Sequence, residues 1–194
     1  MKSVLISIRP EWCEKIISGK KTLEIRKTRP RIETPFKCYI YCTNRKLLYR
    51  SGYDKKLHIY CIKEHEYTRN HLINNGHKIY SGKVIGEFVC NKINETGLDS
   101  FGIYEIVSEI PNERINIVNE SCLSFDEYVK YSNLKPCYAW HISDLVIYDE
   151  PKVLAMDCEF ITNKSTLTFD DNGEFCYTGL TRPPQSWCYV EKVG

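Results

Sequence analysis

The sequence has no run of about 20 apolar residues, which excludes a bilayer-spanning helix. It opens MKSVLISIRPEW, and Arg9 and Pro10 end that apolar stretch too soon for the core of a secretory leader, so none is expected. It has neither an internal repeat, the mark of a solenoid, nor a low-complexity tract. No CxxC pair occurs, although the chain holds 10 cysteines. A Ser or Cys nucleophile has no local signature either. What is there is ordinary for one well-buried globular domain: 42% hydrophobic and 27% charged residues.

Cys38, Cys42, Cys61, Cys90 and Cys158 fall inside strand-like patterns, where free cysteine acts as a small hydrophobe. Without a leader, that usage fits a reducing, cytoplasmic compartment. Cys38, Cys42, His58, Cys61 and His65 have spacings seen in zinc sites, but Cys38, Ile40 and Cys42 share one strand face, a core pattern. No metal and no cofactor are expected.

The net charge of +2 hides an asymmetry. Residues 1–56 hold 15 Lys and Arg against 5 Asp and Glu, and the remainder holds 12 against 20. Such a split points to a polyanionic partner for the basic part, or to two halves that neutralise each other on folding.

Along the chain, KSVLISI (2–8) reads as a buried strand. Pro10 then opens a helix with Glu11 and Glu14 near its positive end and an apolar stripe of Trp12, Cys13, Ile16 and Ile17. Gly19 stands where a helix-terminating glycine belongs. Residues 37–43 form a further strand, with Tyr39 and Tyr41 on one face. Residues 44–81 hold four of the five His and read as an insertion, with a strand at 57–62 and a short helix around 67–73. A strand at 83–93 follows. Ser124 and Glu127 make a capping box for a helix to about Tyr131. Strands are expected at 137–142 and 145–148, then a turn at 170–173 and a strand at 174–177. Many short strands with few helices predict an α+β fold: a small barrel or strongly curved mixed sheet. Residues 1–155 would form the domain, with the insertion at about 44–81 and a packed extension at 156–194.

The centre of the sequence is IISGKKTLEIRKTRPR, residues 16–31. Alternation over 22–26 puts Thr22, Glu24 and Arg26 on one face and Leu23 and Ile25 on the other. Lys20 and Lys21 precede the strand, and Lys27, Arg29 and Arg31 follow it. The block is either a solvated edge or the wall of an anion site.

The order SGKKTLEIRK, GKVIGEF, capped helix and YAWHISDLVIYDEPKVL resembles ASCH domain proteins of the PUA-like superfamily, over residues 1–43 and 82–155. Gly19, Lys21 and Arg26 match the family's Gly-x-Lys-x-x-x-x-Arg signature. WHISDLVIYDEP and the closing PPQSWCYVE resemble segments of bacterial and phage members. The resemblance implies a PUA-like barrel whose cleft takes RNA or a modified nucleoside; the lack of a long apolar run speaks against a membrane partner. Lys20, Lys21, Arg26, Lys27, Arg29 and Arg31 would grip phosphates there, while Tyr39 and Tyr41 stack on bases. Some relatives are acetylcytidine amidohydrolases or ribonucleases, and the amidohydrolase type uses a Lys, a Thr and a Glu. Lys21 matches the Lys, Glu24 occupies the Thr position, and Glu120 is the nearest match for the Glu. An ionised Glu24 cannot donate a hydrogen bond, which argues against acetylcytidine hydrolysis. The enzymatic alternative is a metal-independent reaction on RNA or a nucleoside, in which Glu24 activates water and Lys21 steadies the oxyanion. The sequence leaves the oligomeric state open.

Overall fold

The computed structural model describes residues 2–53, 58–63, 66–99, 102–106, 117–154, 160–169 and 173–192. The chain divides into two compact units that interleave in sequence. Residues 1–14, 37–87 and 146–194 form the first, and residues 15–36 and 88–145 form the second.

β1 (Ser3–Ile8) is buried throughout, as its β-branched run requires. α1 (Pro10–Ile17) starts in the first unit and ends in the second. β2 (Leu23–Arg26) lies in the second unit; β3 (Phe36–Cys42) and β4 (Leu47–Arg50) follow. β5 (Ile59–Ile62), α2 (Glu66–Asn74) and β6 (Lys78–Ile79) come next. β7 (Lys83–Asp99) passes from the first unit into the second, and β8 (Gly102–Ile106) pairs back onto its end. α3 (Ile117–Ser121) and α4 (Phe125–Ser132) precede β9 (Cys137–Lys152), which returns to the first unit. β10 (Phe160–Ile161), β11 (Leu167–Phe169), β12 (Phe175–Tyr177) and β13 (Trp187–Lys192) complete the chain.

In the first unit the strand order is β10, β13, β1, β3, the start of β7 and the end of β9. β1 is parallel to β3, with Val4 opposite Cys38 and Ile8 opposite Cys42, and antiparallel to β13, with Ser3 opposite Val190. One of its apolar clusters joins Leu5, Tyr39, Tyr41, Val84, Phe160 and Val190. β7 and β9 approach closely here, since a Cβ on Gly86 would lie 2.3 Å from the Val146 carbonyl oxygen. Residues 44–81 hold the expected helix, as α2, and the expected strand, as β5, and that strand joins two others in a sheet β5-β4-β6, whose Leu47 and Ile79 pack with Leu72 of α2. β11 and β12 form a separate hairpin.

In the second unit the order is β8, β7, β9, β2. Leu23 and Ile25 pack with Ile117, Tyr128, Cys137 and Ala139. The Tyr128 hydroxyl bonds to Thr96 Oγ1, which donates to the Cys137 carbonyl at 3.1 Å. The capping box of α4 forms as expected: Glu127 N donates to Ser124 Oγ at 3.2 Å and Ser124 N donates to Glu127 Oε2 at 2.9 Å.

Two expectations need correction. The strands at 137–142 and 145–148 are one strand, which continues through Asp144 at φ 47° and through Pro151. The mixed helix-and-strand architecture holds, but in neither unit does a described pairing join the edge strands, so the barrel closure is absent there. The expected turn at 170–173 lies mostly outside the described residues, as does His65.

Candidate functional site

The 20–31 block sits wholly in the second unit, and its position follows from how α1 ends. Gly19 adopts φ +72°, its N–H donates to the Ile16 carbonyl at 2.9 Å, and the Lys20 N–H reaches back to the Lys15 carbonyl at 2.9 Å. This is a Schellman ending, which turns the chain sharply and satisfies carbonyls that the helix would leave open. Lys21 N also donates to the Lys15 carbonyl, at 3.0 Å, so both lysines leave the helix in fixed directions. On the far side of the turn, Thr22 N donates to the Glu120 carbonyl at 2.9 Å and Ile142 N donates to the Thr22 carbonyl at 2.9 Å. β2 is held between α3 and β9 by its backbone.

β2 is not a solvated edge, one of the two readings its sequence allowed, because all four of its residues are buried. Glu24 and Arg26 face Trp140 and Tyr138 across the β9 register. Trp140 is fully buried, with Phe36 packed edge-on at 5.8 Å. In this setting the charged side chains bond to one another. Lys21 Nζ donates to the Leu23 carbonyl at 2.7 Å and the Ser121 carbonyl at 2.8 Å, and lies 3.3 Å from Glu24 Oε2. Glu24 Oε1 takes Arg26 Nη2 at 3.0 Å. Three donors of an ammonium thus meet three oxygens, the arrangement a buried lysine needs to stay charged. Burial pushes the Lys21 pKa down, and the Glu24 carboxylate opposes that shift.

Glu120 reaches the same neighbourhood from α3: its Oε2 accepts from Thr22 Oγ1 at 3.3 Å. His141, opposite Leu23 on β9, has its pKa lowered by desolvation and by Lys92, with Glu120 opposing. The structure therefore brings together Lys21, Glu24, Arg26 and, through Thr22, Glu120. Lys20, Lys27, Arg29 and Arg31 are exposed. The Lys27 ammonium stands 5.2 Å from the ring centroid of Tyr131.

Tyr39 and Tyr41, expected to stack on bases, are buried. They belong to the first unit and are 2% and 6% exposed in its apolar cluster, where the Tyr39 ring meets Phe160 edge-on at 5.0 Å. Alternation assigns the two faces of β3 but does not say that both are covered. Burial removes these rings from any surface a base could reach.

Sequence reasoning missed the Ser121 carbonyl as an anchor for Lys21. No signal could have found it, since any residue supplies a carbonyl and α3 is only five residues long. Among the described residues no group of three or more His, Cys, Asp or Glu could hold a metal ion. No described helix is long and apolar enough to cross a membrane.

The fold is that of ASCH proteins. Two crystal structures of single-residue variants of the ASCH protein from Zymomonas mobilis match with TM-scores of 0.54 and 0.53 and 17% identity in each case. The matches cover 99% and 98% of this chain and 92% and 89% of theirs. No protein-family model matches the sequence, and neither does any curated protein.

Proposed function

We propose that this chain binds RNA or a modified nucleoside through residues 20–31 of its second unit. One observation carries the reading. Lys20, Lys27, Arg29 and Arg31 are exposed around a strand whose own charges, Lys21, Glu24 and Arg26, are buried and bonded to one another. The buried trio holds the backbone still, and the exposed cations give phosphates several points of attachment. The ASCH fold and the matched signature residues support the same reading. The described cysteines are free thiols, which fits a reducing, cytoplasmic setting.

Titration with short single-stranded RNA over 50–200 mM salt tests this. The logarithm of affinity should fall with the logarithm of salt at about 0.7 per cation engaged, so a slope near −3 if four take part. Arg29→Ala should flatten the slope by about 0.7. Binding that is undetectable at low salt, or indifferent to salt, overturns the proposal.

A second reading has its own observation: Lys21, its pKa lowered by burial, lies 3.3 Å from Glu24. In a metal-independent, amidohydrolase- or ribonuclease-like reaction, Glu24 would accept a proton from water, and Lys21 would give up its contact with Glu24 to steady the developing oxyanion. Under this reading Lys21→Met abolishes turnover of RNA or modified nucleosides while RNA affinity stays within a few-fold. If no turnover is detected with the wild-type protein, binding alone remains.

A further inference from the structure

The first unit holds a cavity of about 540 Å³ beside β13, made from residues that the RNA reading does not use. Small-ligand sites typically measure about 300–1,000 Å³. Two aromatic side chains line it, Trp187 and Tyr189, from alternate positions on β13, with ring centroids 5.4 Å apart and planes at 76°. Leu180 and Pro184 add apolar wall. The ionic side chains at its surface are Lys2, Lys164 and Arg182 against the single carboxylate of Glu191.

Its walls are tied to the rest of the unit. Thr162 N donates to Ser165 Oγ at 3.0 Å and Ser165 N to the Thr162 carbonyl at 3.0 Å, a closed turn that presents Asn163 and Lys164. Leu180 N donates to the Phe160 carbonyl at 2.9 Å. Ser7 Oγ donates to the Pro184 carbonyl at 2.6 Å, and Ser7 N to the Ser186 carbonyl at 2.9 Å. A pocket with fixed walls loses little entropy when it is filled.

We propose that this cavity is a second ligand site, for a ribonucleoside 5′-monophosphate. The aromatic and apolar wall suits a flat base. The three cations suit a phosphate, and the guanidinium of Arg182 matches it in a two-pronged fork. Glu191 would repel a phosphate beside it and accepts hydrogen bonds from a sugar diol, which places the ribose towards that carboxylate. Asn163 offers both a donor and an acceptor for a base edge. This site is independent of the 20–31 block and stands or falls separately from it.

Isothermal titration with the 5′-monophosphates of the four ribonucleosides, the parent nucleosides and inorganic phosphate is the test. At least one monophosphate should bind saturably, about tenfold or more tighter than its nucleoside and than phosphate alone. Arg182→Ala, at an exposed position, should weaken that binding about tenfold while the salt-dependent RNA titration stays as in the wild type. Trp187→Leu should weaken it likewise, and Lys2→Ala serves as the cation variant should either of those fail to fold. The proposal is overturned if no monophosphate saturates, if phosphate alone binds as well, or if the folded variants bind like the wild type.

Discussion

Glu24 is the residue on which the buried charges depend, because it lies within ion-pair distance of both Lys21 and Arg26. Removing one member of a buried pair costs about 3–5 kcal/mol, mostly because the remaining charge stays out of water. Glu24→Ala should therefore lower stability in urea by that amount, and a loss under about 1 kcal/mol would show that the trio behaves like a surface pair. His141 gives a pH prediction. Its folded pKa lies below the ordinary 6.5, so the unfolded chain takes up a proton first as pH falls. The stability it contributes is complete above pH 6.5 and is lost as pH drops through that value towards the folded one. The NMR titration midpoint of His141 should lie below 6.5, and His141→Gln should flatten the acid-side slope of stability. At this scale alternation in the sequence puts Glu24 and Arg26 on one strand face, where the structure pairs them. It could not show that Lys21 joins them, since that depends on a backbone carbonyl 100 positions away.

Among elements, the α1 ending and the α4 start were both legible because they are local. A glycine two positions past an apolar stripe, and a Ser followed by Glu three positions on, are rules about neighbours in sequence. Gly19→Ala forces an L side chain into φ +72° and should cost about 1 kcal/mol, lowering the melting temperature by about 2–4 °C. It should also weaken RNA binding, since Lys20 leaves from that turn. Ser124→Ala removes one half of the capping box and should cost about 1 kcal/mol, with faster amide exchange confined to the first turn of α4. A decrease spread evenly over the second unit would contradict that. The sheet made by residues 47–79 was less legible. Its strands are four, four and two residues long, too short to show a period, and they are defined by pairing rather than by pattern.

For the molecule as a whole, the decisive pairings are the most distant ones. β13 lies against β1 along the register from Ser3–Val190 to Ile6–Trp187, and nothing in either segment names the other. A chain ending before Trp187 should leave β1 without its antiparallel neighbour and the first unit without Val190 in its core. Near-ultraviolet dichroism and amide exchange should then report loss of the first unit, and a native-like spectrum would refute this. The fold family was readable because its motifs are short and local. The unit boundaries were not, since 14/15, 36/37, 87/88 and 145/146 carry no linker composition.

That interleaving also sets the timetable of synthesis. A ribosome releases β1 first, yet the strand that completes its antiparallel side is made only when residue 192 has been added. Until then β1 has only β3, its parallel neighbour, to pair with among the described strands. Pairings between such distant segments are slow to form, and the waiting strand is the surface a chaperone would have to cover.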